Sequence, residues 1–238
     1  MLILAFETSA KAASVALLDE DRLIGEYFQD CGQTHSRTLM KMAEDLLKNC
    51  GRSAQEVTAV AVAAGPGSFT GVRIGVAAAK GFAWGTDLPC IGVSTLEAMA
   101  CQVSAFEGVI CCAMDARRAQ VYNALFDCSG GMLTRCTEDR AISLEDLEFS
   151  LKTCEKPIIF VGDGAHLCYN TFGSKKSGST LASEQLIMQR ASGVALIARR
   201  KLLSGECCDG ATLTPNYLRL SQAERERAAR QKKENENG

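Results

Sequence analysis

Residues 59–85, AVAVAAGPGSFTGVRIGVAAAKGFAWG, restrict the fold more than any other stretch of the chain. Val60 to Ala64 is a short apolar run without alternation, the pattern of a strand covered on both faces. Gly65-Pro66-Gly67 ends it, and Ser68 stands where an N-cap accepts a bond from a helix N–H. The helix from 68 to 85 then carries Gly71, Gly75 and Ala79 at successive i+4 positions, a smooth stripe on one face. An interior glycine costs a helix about 1 kcal/mol relative to alanine. Two of them imply that another backbone comes close, in the same chain or in a partner. A strand, a glycine turn and a helix N-terminus also make a ready anion site. The spacing Gly65-x-Gly67-x-x-x-Gly71 matches neither G-x-G-x-x-G nor a P-loop ending in G-K-[ST]. Structural glycines fit it better, and both readings stay open.

A chain of 238 residues can bury a sizeable core, as one large domain or two small ones. Its formal charge of −2 shows no overall nucleic-acid footprint. The start of the chain has no basic region, and no apolar run approaches the length of a membrane span, so neither signal peptide nor membrane helix is expected. The twelve cysteines scatter singly or as the pairs Cys111-Cys112 and Cys207-Cys208, without a C-x-x-C. His35 and His166 lie far apart. Zinc and disulfide frameworks are poorly supported, and the thiols read as small apolar residues of a reducing cytoplasm. No metal or cofactor is expected.

Three short strands, 1–6, 13–18 and 23–28, form a meander, followed by a helix from Thr34 to Cys50 with Gly51 after it as a C′ residue. After the central strand and helix come a strand 90–93 and a helix from 94 or 95 to about 104. The pattern then restarts, with strands at 109–114, 121–126 and 132–136, a turn at 128–131 and a strand at 157–161. Residues 162–165 lead into a helix to Phe172, 175–180 read as a polar loop, and a helix runs from about Gln189 to Leu203. The order strand, acidic residue, turn, strand, turn, strand occurs in both halves. The expected organisation is a first lobe over 1–105, a second over 106–221 and a charged mobile tail over 222–238.

A duplicated meander with alternating helices and strands gives an α/β fold of two ribonuclease-H-like lobes, the actin-like (ASKHA) arrangement of actin, Hsp70 and sugar kinases. In those proteins an acid ends the first strand of each lobe, and the two hairpins grip nucleotide phosphates and magnesium. Glu7, followed by Thr8, and Asp115 stand at these places. Neither turn has the glycines that let backbone N–H groups approach a phosphate, and the second carries Arg117 and Arg118. The acids are expected to cap or close their turns, as vestiges of a nucleotide site.

Taken together, Glu7-Thr8-Ser9, His35-Ser36, Gly65-Pro66-Gly67-Ser68-Phe69-Thr70-Gly71 with Arg73 and Gly75, Gly92-Val93-Ser94, Asp115-Ala116-Arg117 and Pro215-Asn216-Tyr217-Leu218-Arg219 resemble the bacterial TsaB (YeaZ) family. The resemblance spans about residues 1–220. It implies a non-catalytic scaffold that pairs with its paralogue TsaD, supports the ATPase TsaE, and forms a homodimer when alone. The assembly places a threonylcarbamoyl group on the adenosine beside the anticodon of tRNA, so tRNA is met only through the complex. TsaD-like proteins hold metal with an H-x-x-x-H pair; here Leu39 stands four residues after His35 and Asn170 four after His166. An active actin-like ATPase or kinase is the alternative reading, and a metallopeptidase a further one.

The expected partner face lies on the two helices of the first lobe. His35 is assigned to it, with Leu39, Met42, Ala43, Leu46, Val72, Gly75, Val76 and Ala79 as an exposed apolar patch left over from the core. The resemblance sharpens this to a four-helix bundle, two helices from each subunit, with Gly75 at the closest approach.

Overall fold

The computed structural model describes residues 1–85 and 87–219; the charged segment expected to be a tail lies outside them. β1 (Leu2–Glu7) and β2 (Ala13–Asp19) pair antiparallel, with Leu2 opposite Asp19 and Glu7 opposite Ser14. β3 (Arg22–Gln29) continues the meander. α1 (His35–Asn49) ends at Gly51, whose φ of +64° suits a residue without Cβ. β4 (Ala59–Gly65) runs parallel to β1 and is buried throughout, as its unalternating apolar sequence demands. α2 (Phe69–Trp84) follows, its start capped by Ser68, whose Oγ accepts from Gly71 N at 3.3 Å. β5 (Cys90–Ser94) completes a five-stranded sheet of order β3-β2-β1-β4-β5, and Ser94 caps α3 (Thr95–Gln102).

The second half repeats this permutation. β6 (Gly108–Asp115), β7 (Gln120–Ser129) and β8 (Met132–Arg135) form the second meander. β9 (Arg140–Ser143), α4 (Leu144–Leu151), β10 (Ile158–Val161), α5 (Ala165–Thr171), β11 (Ser179–Leu181) and α6 (Ala191–Leu203) complete it. The sheet order is β8-β7-β6-β10-β11, the same as in the first lobe once β9 is set aside. β7 is long enough to carry β8 at one end of its free edge and β9 at the other. The sequence reading has no β9, α4 or β11. Its polar loop at 175–180 contains the start of β11, a three-residue edge strand too short to show a period. α4 does announce itself: Ser143 accepts from Asp146 N at 3.0 Å, an N-cap legible in S-x-x-D.

A split after residue 105 describes the two sheets but not the helices that cover them. α6 returns to the first sheet, where Val194, Ala195, Ile197 and Ala198 pack on Ile3, Ala5, Ala16, Ala61 and Ile91. α3 contributes Leu96, Met99 and Ala100 to the second core, against Ile110, Cys112 and Phe160. The α3 and α6 backbones touch, since a Cβ on Gly193 would meet the Ala98 carbonyl. The lobes are joined through these two helices.

α1 and α2 share the opposite face of the first sheet. Their expected exposed patch is absent: Leu39, Met42, Ala43, Leu46, Val72, Val76 and Ala79 are each at most 8 % exposed, within one core cluster with Leu4, Phe6, Val60 and Val62. Gly75 is buried too. The glycine stripe faces the chain's own backbone: a Cβ on Gly71 would run into the Thr8 carbonyl, and one on Gly75 would lie 2.5 Å from Thr8 Oγ1 and 3.1 Å from Val62 Cγ2. The breadth of α1's apolar face is used up by sheet and α2 together. Gly75→Val is therefore expected to destabilise the isolated chain by about 3 kcal/mol through overpacking. Urea denaturation should show a lower midpoint, and an unchanged midpoint would contradict this packing.

Candidate functional site at the interlobe cleft

β1 and β6 both end at the cleft between the lobes, and each ends in an acid that closes its own turn. Glu7 Oε1 accepts the Ser9 N–H at 2.6 Å, and Asp115 Oδ1 accepts the Arg117 N–H at 2.7 Å. The same i to i+2 bond at equivalent points of the two lobes is the repeat in its sharpest form. The surroundings differ. Glu7 is 1 % exposed and its Oε2 has no partner among the described residues, while Asp115 is exposed. Burial raises the Glu7 carboxyl from 4.5 to about 7; the Ser9 bonds pull it back, and the charge of Asp163 pushes it further up. Asp163, in the turn after β10, is also raised, first by burial, against a 2.8 Å bond from Gln189 Nε2.

The first turn is fixed by α2. Thr8 Oγ1 donates to the Gly71 carbonyl at 2.7 Å, and Ser68 N donates to the Ser9 carbonyl at 2.6 Å. A Cβ on Gly67 would lie 2.6 Å from that same carbonyl. Gly67, Gly71 and Gly75 thus serve one close contact, which accounts for the signature as packing. His35 Nε2 donates to the Ala10 carbonyl at 2.9 Å, bracing the turn from α1 within the chain. The second turn is held differently: Arg117, Arg118 and Ala119 have φ of 63°, 57° and 55°, three successive left-handed residues without a glycine. Such conformations cost of order 1 kcal/mol or more each and persist only where the surroundings enforce them.

After α6 the chain crosses back as a strap. The backbones of Cys208 and Cys90 exchange two hydrogen bonds, both thiols being free, and Lys80 Nζ donates to the carbonyls of Ala211 and Leu213 at 3.2 and 3.1 Å. Asn216 N donates to the Ala64 carbonyl at 2.6 Å. The Tyr217 ring stacks on Phe69 with centroids 4.6 Å apart, while Arg73 lies 3.8 Å over Phe69 and donates its Nε to Tyr217 Oη at 2.7 Å. Arg219 Nη1 reaches the Ala116 carbonyl of the other lobe at 2.9 Å. Strap, α2 and the two turns enclose a cleft of about 840 Å³.

The structure therefore puts Asp115 in the cleft, buries Glu7 and Thr8 behind the first turn, bonds His35 to that turn, and puts the other expected partner-face residues in the core. Asp163, Gln189 and Lys11 carry no local motif that marks them as site residues, and Tyr217 is legible only within the motif 215–219. Cys90, Cys101, Cys111, Cys112, Cys128 and Cys168 are buried, and burial raises their thiols, that of Cys168 to about 12. Among the described residues no group of three His, Cys, Asp or Glu is placed to hold a metal, and no helix is long and apolar enough to cross a membrane.

Two sheets of one permutation, acids at equivalent strand ends and helices crossing between lobes define an actin-like α/β protein whose first hairpin is occupied by its own helix. The family model of TsaD, tRNA N6-adenosine threonylcarbamoyltransferase, matches residues 29–226. The chain is 37% identical to the tRNA threonylcarbamoyladenosine biosynthesis protein TsaB of Bacillus subtilis, over 94% of this chain and 96% of that one. Against TsaB of Escherichia coli it is 32% identical, with the same coverage of both. The crystal structure of YeaZ from Pseudomonas aeruginosa superposes with a TM-score of 0.80 at 26% identity, covering 91% of this chain and 99% of that chain. The chain belongs to the TsaB (YeaZ) family.

Glu7 gives this family member a titration of its own. The folded chain holds the Glu7 proton to about pH 7, whereas the unfolded chain releases it near 4.5. Stability from this group is full below pH 4.5, falls as pH rises toward 7, and is level above. Glu7→Gln should remove that slope. Thermal melts are expected to agree with wild type in acid and to favour the variant above neutrality, by on the order of 3 kcal/mol. Parallel profiles for the two proteins would overturn the assignment.

Proposed function

We propose that this protein is a non-catalytic subunit in the synthesis of threonylcarbamoyladenosine in tRNA, pairing with TsaD and supporting TsaE in the cytoplasm. The observation that carries the reading is the use of the fold's first hairpin for internal packing. Ser9 and Thr8 are bonded to Ser68 and Gly71, and Asp115 is spent on closing its own turn. A hairpin locked in this way supports a scaffold better than an ATPase. The TsaB name carried by its relatives supports the same assignment.

The partner face of this proposal lies on the outer surfaces of α1 and α2, shifted from the residues that the sequence reading assigned to it. Ala77, Gly81 and Gly85 form a second small-residue row at i+4 spacing, exposed to solvent, and a Cβ on Gly81 meets nothing within 4 Å. Trp84, 83 % exposed, and Met40, 45 % exposed, flank it. Small residues admit a close helix and large apolar ones anchor it, the composition of a helix-packing interface with TsaD or, without it, with a second copy. Gly81→Arg is expected to leave the monomer folded, because the added side chain enters open space and glycine is the poorer helix former by about 1 kcal/mol. It should abolish co-purification with TsaD and with it tRNA modification. Wild-type TsaD affinity in folded Gly81→Arg protein would place the interface elsewhere.

A further inference from the structure

The cleft carries an excess of positive charge: four cations line it against Asp115 and Asp163, with Lys11 near enough to Asp163 to favour its charged form. Lys11 from the first turn, Arg117 from the second, Arg73 from α2 and Arg219 from the strap all line it. Among the described residues none of the four meets a carboxylate, whereas Arg52, Arg135 and Arg190 each do. Two acids share the cleft and are outnumbered: Asp115, exposed and accepting the Arg117 N–H, and Asp163, bonded to Gln189 in a setting where burial favours its neutral form. The side chains of Lys11 and Arg117 make no hydrogen bond among the described residues and are exposed. Arg117, which lines the cleft, opens the left-handed run to Ala119, held at a conformational cost. Beside them the ring of Tyr217, 41 % exposed, is backed by Phe69 and held by Arg73.

Unpaired cations around an exposed, buttressed aromatic ring are the elements by which proteins hold single-stranded nucleic acid: charge for the phosphates, a ring for a base. We propose that this rim binds the phosphate backbone of an RNA strand, with Lys11 and Arg117 on successive phosphates and Tyr217 beneath a base. Resting on the proposed function, the RNA is the tRNA that the complex modifies. Two features favour RNA over a free nucleotide. The hairpins present long flexible side chains rather than glycine N–H groups, which suits a polyanion tracking across the rim. In addition, Glu7 is buried and closes on the Ser9 N–H, so of the two strand-end acids only Asp115 lines the cleft. The overall charge of −2 does not oppose this, since phosphates respond to charge within about 10 Å.

The test is filter binding of unmodified tRNA to the full chain in complex with TsaD, across a range of salt, for wild type, Lys11→Gln with Arg117→Gln, and a control pair, Arg22→Gln with Lys152→Gln, on exposed cations away from the cleft. The cleft pair is expected to weaken binding about tenfold and to flatten the salt slope by about 1.5, as for two lost phosphate contacts. The control pair should match wild type. Lys11→Gln alone, on a side chain bonded to nothing in the chain, should flatten the slope by about 0.7 and serves if the double variant loses its thermal transition. Wild-type affinity and slope in the folded cleft variants would overturn the proposal. So would a cleft that binds ADP or pyrophosphate through Lys11 and Arg117 while tRNA binding is unaffected. A modification assay on the same wild-type complex reads the proposed function separately: no modification, with cleft-dependent tRNA binding intact, would fail that reading and support this one.

Discussion

Much of the molecule depends on one close contact, between the start of α2 and the turn after β1. Glycines at 67, 71 and 75 let the helix lie directly on the backbone of Thr8 and Ser9, and two hydrogen bonds seal it. The contact fixes where α2 begins, and so where Phe69 and Arg73 stand to receive the strap. It also decides what the cleft can do. A turn whose carbonyls face a helix and whose Glu7 closes back on Ser9 has little left to offer a nucleotide phosphate. The helical cost of Gly71 and Gly75 is repaid by this proximity, since any larger residue would part helix from turn.

Much of the fold is legible in the sequence because its periods are undisturbed. The buried run at 60–64, the broad face of α1 and the repeated meander each follow from apolar spacing alone, and they lead to the correct pair of sheets. Spacing does not say which cover a helix receives. Leu39, Met42 and Ala43 look surplus on a helix read in isolation, but α2 lies so close that both helices and the sheet share one core. The same blindness hides where α6 packs, since its target sheet lies far back in the chain. Local signals also fail where an element is short, as β11 is, or where conformation runs against residue type, as in the left-handed turn at Arg117.

The site was half readable for a related reason. Glu7 and Asp115 are visible because each ends an apolar strand, and the duplication makes each the counterpart of the other. Their environments are not written locally. Glu7 is buried, bonded to Ser9 and near Asp163, while Asp115 opens onto solvent beside Arg117. Asp163 and Gln189 meet only because the second lobe folds its last turn back over the first, and no motif marks either.

The duplication explains how one fold can carry two unlike halves. Both lobes end their first strand in an acid that takes the N–H two residues on, so the backbone problem is solved identically. What differs is the packing behind it. In the first lobe a helix presses on the turn, excludes water and leaves a carboxyl that is neutral over part of the physiological range. In the second the α5 N-cap, Gly164, lies on the backbone of Met114 and Asp115, and three left-handed residues follow with Arg117 and Arg118 exposed. The acid of one turn is buried and the acid of the other is exposed. The two strand-end acids thus share one backbone bond and sit in unlike surroundings.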